Sequence, residues 1–164
     1  KEGLAVAGSR TTYAIGKLVL WSPRPGYVDS KGEVLRSGGF ARLAVANPKT
    51  APYGAAARET LEKLDAWQAL QHRLVQGESI AQAYQFVASG NAELGFVALS
   101  QVRNESGEIR GSLWLVPQAL YTPIRQDAVL LAKGRGRAAA RQFMAYLGSP
   151  KAAAIIQSFG YELP

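Results

Sequence analysis

Short, nearly unbroken apolar runs punctuate this chain, and stretches with helical spacing separate them. Residues 42–46 (RLAVA), 94–99 (LGFVAL) and 113–116 (LWLV) predict strands buried on both faces. Residues 11–21 (TTYAIGKLVLW) are longer and rich in β-branched and aromatic side chains, which predicts a single strand ended by Pro23, Pro25 and Gly26. Residues 124–132 predict a second long strand, and 74–75 a brief one. Residues 22–40 read as loop, with one helical turn near 33–36. A helix runs from Pro52 or Tyr53 to residue 64, with Ala57, Leu61 and Leu64 on one face. Glu59 and Lys63 stand four apart on it, the spacing of a helical ion pair. A short helix covers 66–72. Ser79 with Gln82 fits a capping box that opens a helix over 79–88, and Gly90 suits the residue past its end. Helices over 137–147 and 150–159 close the chain.

Strands alternating with helices predict an α/β fold with largely parallel pairing. The two long strands bracket everything between them. The arrangement expected is a compact α/β lobe inserted between two neighbouring crossing segments. No internal repeat interrupts that reading.

Composition narrows the function. With 164 residues and 48% hydrophobic content the chain can bury a real core, and 17 glycines and 8 prolines exclude a coiled coil. Zero cysteines remove disulfides, thiolate metal sites and a cysteine nucleophile. The balance of 19 basic against 12 acidic residues, net +7, favours anions at long range. The densest basic run, Lys133, Arg135, Arg137 and Arg141, has no interleaved aromatic residue, so nucleic acid is not the expected partner. No run approaches a membrane span, and the amino terminus carries no signal-peptide core. A mature exported protein reads the same way.

Most candidate chemistry dissolves on inspection. Residues 134–139 spell GxGxxA after a strand and before a helix, as a dinucleotide fingerprint would. No acidic residue occurs from Ala128 to Tyr161 to hold a ribose, and no βαβ unit is completed, so a flexible basic turn is expected. His72 is the only histidine, which excludes a histidine-rich metal site, and no nucleophile elbow exists for it to serve. It reads as a surface or capping residue. Glu59 and Glu62 read as solvated, and Trp21, Trp67 and Trp114 as core. No enzyme is expected. Two helix starts remain: 47–55 (NPKTAPYGA) and 77–82 (GESIAQ), each a strand passing into a helix. Free N–H groups and the positive dipole end make such starts ready-made anion sites, at the strand edge where α/β folds bind ligands.

The wording of four segments then carries a family resemblance. Residues 13–22 (YAIGKLVLWS), 43–54 (LAVANPKTAPYG), 92–99 (AELGFVAL) and 149–161 (SPKAAAIIQSFGY) resemble the molybdate-binding proteins of bacterial ABC uptake systems, in order and over essentially the whole chain. The resemblance implies a type 2 periplasmic-binding-protein fold holding molybdate or tungstate between two lobes through neutral donors. Carried over residue by residue, it assigns main-chain N–H donors to Tyr53, after Pro52, and to Ile80, after Ser79. Where some members place a tyrosine hydroxyl, this chain has Ala98. The family also begins with a further stretch carrying hydroxyl and amide donors. Its absence here implies one complete lobe, residues 23–122, and a partial one. Residues 1–22 would supply part of the other lobe and the first crossover, and 123–164 the second crossover and closing helices.

From this follow the remaining expectations. The function implied is the binding component of an ABC transporter, in the periplasm, partnered by a membrane permease and needing no cofactor. The alternative is binding or sensing of another oxyanion, sulfate-like or phosphate-like, or of a small ligand on the same fold. Molybdate carries two negative charges and no proton near neutral pH, so its site should offer donors without acceptors. Glu78 should therefore point outward, and alanine at Tyr53 or Ile80 should weaken binding only modestly. The apolar face of the last helices, with Phe143, Leu147, Ile155 and Ile156, should be exposed or covered by another chain, which favours self-association.

Overall fold

A computed structural model describes residues 3–104 and 106–164. Its centre is a five-stranded sheet built from Leu18–Ser22 (β2), Leu43–Ala46 (β3), Leu74–Gly77 (β4), Leu94–Ala98 (β5) and Ser112–Leu115 (β6), in the order β4-β3-β5-β2-β6. Thr11–Gly16 (β1) precedes it in the chain and pairs antiparallel with Ile124–Ala128 (β7) in a separate two-stranded sheet.

The side-chain alternation of the central strands explains their unbroken apolar sequences. Leu18, Leu20, Leu43, Val45, Leu94 and Phe96 face one core, while Val19, Trp21, Ala44 and Val97 face another on the opposite side. Pro52–Lys63 (α2) covers the first face with Tyr53, Ala56, Ala57 and Leu61. Ile80–Ala88 (α4) covers the second with Ala83 and Val87. Glycine permits that closeness at Gly95, where a Cβ would lie 2.7 Å from Val87 Cγ2 and 2.8 Å from Ala44 Cβ.

The remaining helices are Val34–Ser37 (α1), Trp67–Leu70 (α3), Leu99–Val102 (α5), Ala138–Leu147 (α6) and Pro150–Ser158 (α7). The turn expected at 33–36 is α1, and the short helix expected over 66–72 is α3 followed by a 3-10 turn, Gln71–Arg73. No local pattern announces α5. The expected Glu59–Lys63 pair does not form. Arg58 pairs with Glu62 at 2.7 Å, while Glu59 accepts the Thr122 N–H and Lys63 donates to the Ala119 carbonyl.

Three expectations about strands need correction. Residues 11–21 are two strands in two sheets, broken at Lys17, whose ammonium pairs with Glu162 at 2.6 Å and whose carbonyl accepts the Leu99 N–H. Pairing is also not largely parallel. β3 runs parallel to β4 and β5, but β2 runs antiparallel to β5 and β6, because it enters the sheet from the crossover and not from a returning helix. Finally, β7 stops at Ala128. Beyond it, 130–132 pairs irregularly with 4–6 through Val6 N–H to Leu130 O and Ala132 N–H to Leu4 O, then turns at Ala132–Gly134.

The body around β1 and β7 is less filled than the central sheet. α6 and α7 pack on each other, yet Phe143 remains 60% exposed and Ile155 46%, with Leu147 and Ile156 half-buried. No helix is long and apolar enough to cross a membrane among the described residues.

Candidate functional site

β3 and β4 are parallel neighbours in register, Ala46 opposite Gly77, and each leads directly into a helix at the same edge of the sheet. The ladder continues one step past the strands, with Asn47 N–H donating to Gly77 O at 2.7 Å. The Asn47 side chain then shapes the loop. Its Oδ1 accepts the Lys49 N–H at 3.0 Å, and its carbonyl accepts from Thr50 and Ala51. Pro52 opens α2 with its fixed φ and no N–H of its own. Among the described residues the next N–H, that of Tyr53, has no acceptor.

The start of α4 is capped more fully. Ser79 Oγ accepts the Gln82 N–H at 3.2 Å, and Gln82 Oε1 accepts the Glu78 N–H at 2.6 Å. This is a reciprocal cap, though the return bond reaches the residue before the cap and not the cap itself. Gly90, in the left-handed conformation at φ 78°, ends the helix as its sequence position implied. Among the described residues the Ile80 N–H also lacks an acceptor. Two first-turn donors thus stand at the ends of adjacent parallel strands, each at the positive end of a helix dipole.

Glycines bring both helix starts close to the sheet. A Cβ on Gly54 would lie 2.4 Å from Ala46 O, and one on Gly77 would lie 2.9 Å from Ala83 N. The glycine after Tyr53 is therefore a packing requirement. It lets the first turn of α2 descend onto the end of β3.

Glu78 is exposed, and its Oε2 accepts from Asn47 Nδ2 at 3.2 Å. Gln101 was missed entirely. From α5 its amide donates to Ile80 O at 3.3 Å and its Oε1 accepts the Ala98 N–H at 3.0 Å, tying the first residue of α4 to the end of β5. Only long-range contact reveals that role, since a glutamine after an apolar run carries no local signal. Ala98 itself is buried.

Tyr53 also does more than its backbone suggested. Its ring is core, 7% exposed, and burial pushes the phenol pKa well above its ordinary value, with Tyr161 and Tyr121 adding to the effect. The Tyr161 hydroxyl lies close by, yet no well-formed hydrogen bond joins it to Tyr53; its partner is Ser100 Oγ at 3.0 Å.

The other candidates lie elsewhere. His72 is exposed on the 3-10 turn after α3, and Gly134 and Gly136 sit in an exposed turn before α6. Trp21 and Trp114 are core, and Trp67 packs partly buried beneath Arg58. Among the described residues no cluster of three or more His, Cys, Asp or Glu could hold a metal ion.

Comparison with known proteins places this geometry in a family. The family model for bacterial extracellular solute-binding proteins matches residues 1–162. The molybdate-binding protein ModA of Azotobacter vinelandii is 60% identical over 163 residues, 99% of this chain and 65% of its own length. That of Rhodobacter capsulatus is 53% identical, over 98% of this chain and 62% of its own length. The chain thus spans just under two thirds of these relatives. Among solved structures, the periplasmic molybdate-binding protein of Azotobacter vinelandii superposes with a TM-score of 0.95 at 47% identity, covering 99% of this chain and 71% of the other. The fold is that of the type 2 periplasmic binding proteins, and the chain belongs to the family of bacterial extracellular solute-binding proteins.

Proposed function

We propose that this chain binds molybdate or tungstate between its two lobes and serves, without catalysis of its own, as the binding component of an ABC uptake system. Its partner would be a membrane permease and its compartment the periplasm. The observation that carries this reading is the pair of acceptor-less N–H groups, Tyr53 and Ile80, at the ends of adjacent parallel strands. Donors without acceptors suit a dianion that carries no proton. The relatives named above are binding proteins for molybdate, at identities of 60% and 53%. No prosthetic group is called for, since the oxyanion is cargo. The lobe boundaries proposed are those of residues 23–122 against 1–22 and 123–164, with the first boundary moved to Lys17 because β2 belongs to the five-stranded sheet.

Titration calorimetry with molybdate, tungstate, sulfate and phosphate tests the reading. It is run on this chain alone and joined to the part of the Azotobacter relative that it does not span. Tight binding of molybdate or tungstate, with sulfate and phosphate much weaker, is the expected result. Preference for phosphate or sulfate in both forms would replace it with the alternative oxyanion reading.

A further inference from the structure

Tyr53 enters this protein twice. Its N–H opens α2 at the strand edge, and its side chain runs inward until the hydroxyl is fully buried with no hydrogen-bond partner among the described residues. A buried hydroxyl in that state has given up its water and regained nothing, so its retention asks for a reason.

Its surroundings suggest one. A Cβ on Gly16, the last residue of β1, would lie 2.1 Å from the Tyr53 hydroxyl oxygen and 3.5 Å from Ile124 Cγ2. The Tyr121 hydroxyl accepts the Leu18 N–H at 3.2 Å. Beside Tyr161, Glu162 exchanges two backbone bonds with Ile15, at 2.8 and 3.0 Å. The phenol therefore ends beside the two connections between the sheets, 16–18 and 121–124, and beside the segment 160–162 that pairs with β1. Any rotation of one lobe against the other turns the backbone here. Tyr161 accepts the Ser100 proton at 3.0 Å, and its own O–H has no acceptor among the described residues.

We propose that Tyr53 is a positioning residue for the anion, its hydroxyl unpartnered in the arrangement seen here and accepting the Tyr161 O–H when the lobes rotate around an oxyanion held at the Tyr53 N–H. The ring is a rigid link of two side-chain torsions, so the donor at one end and the crossover at the other move together. The bond gained on that rotation adds to affinity for the anion, while its absence weakens the arrangement seen here. This rests on the oxyanion reading above.

Tyr53→Phe and Tyr161→Phe test it, each an isosteric removal of one hydroxyl. Both are titrated with molybdate in whichever form binds, this chain or the joined chain, and melted without ligand. Tyr53→Phe should raise the ligand-free melting temperature and weaken molybdate three- to tenfold, about the worth of one hydrogen bond. Tyr161→Phe should weaken molybdate similarly, and the double variant no more than either single one, because both remove the same bond. A purely structural hydroxyl would move stability and leave affinity alone. Unchanged affinity in Tyr53→Phe, or additive losses in the double variant, would overturn the proposal while the oxyanion reading stands. Failure of both parent forms to bind molybdate would remove that reading and this proposal together.

Discussion

In the proposed site Ile80 and Tyr53 offer the same atom, a main-chain N–H, yet they answer substitution differently. Ile80 is half-buried at the first position of α4, and Ser79 before it is extended, at φ −142° and ψ 165°. That is the conformation a following proline demands, and proline is tolerated at a first helical position. Ile80→Pro should therefore keep the fold while deleting the donor, losing about 1.5–3 kcal/mol of molybdate binding, the range for a bond to a charged group. Calorimetry reads the loss, and unchanged affinity with an intact circular dichroism spectrum would remove Ile80 from the site. Alanine at Tyr53 is another matter. The expectation of a modest effect there ignored a ring buried in the core, whose loss costs about 3–5 kcal/mol of stability. Both helix starts were legible because their signals are local: a proline, a cap serine, a glycine. Gln101 and Gly16 were not, because each acts through residues remote in sequence.

At the scale of elements, the short apolar runs announced strands buried on both faces; β3 and β5 are, while β6, at the edge of the sheet, leaves Leu115 half exposed. What no run could announce is direction. The unbroken sequence from Tyr13 to Trp21 hides the switch of sheets at Lys17, because a side-chain alternation of two continues unchanged through it. Two predictions belong here. Gly54→Ala places a Cβ 2.4 Å from Ala46 O, so α2 must lift off β3. About 1–3 kcal/mol of stability should go, as for other overpacked sites, with oxyanion affinity falling alongside. Denaturant melts and calorimetry check both, and a variant as stable as the parent would refute the packing argument. The other concerns the β1–β7 ladder. Asp127 accepts from Thr12 Oγ1 at 2.7 Å and from Arg10 Nε at 2.6 Å, and these bonds hold its carboxyl below the ordinary aspartate value. Its support for folding is therefore full above the ordinary aspartate range and is lost as pH falls through the lowered value. Asp127→Asn should flatten that part of the stability profile, read by thermal melts across acidic pH.

The whole molecule is uneven. The central sheet is closed on both faces, whereas α6 and α7 leave Phe143 and Ile155 about half exposed, and Leu131, near Phe143, is exposed as well. Side chains of that size grouped on one body drive association. Sedimentation should show the mean mass of this chain rising with concentration, and Phe143→Ser with Ile155→Ser should suppress the rise. A concentration-independent monomer would contradict it. Nothing in the amphipathic spacing of these helices distinguished a covered face from an open one, since the pattern records only which side is apolar. Of the expected bracket of two long strands, one part stands: β1 lies beside β7.

The central claim is that an oxyanion sits on the main-chain donors of Tyr53 and Ile80. Amide resonances of the nitrogen-15-labelled protein, followed as molybdate is added, address those two atoms by name. The account predicts that the Tyr53 and Ile80 amide protons move downfield together, saturating with the calorimetric isotherm. Shifts confined to the basic run from Lys133 to Arg141, with both amides still, would contradict it.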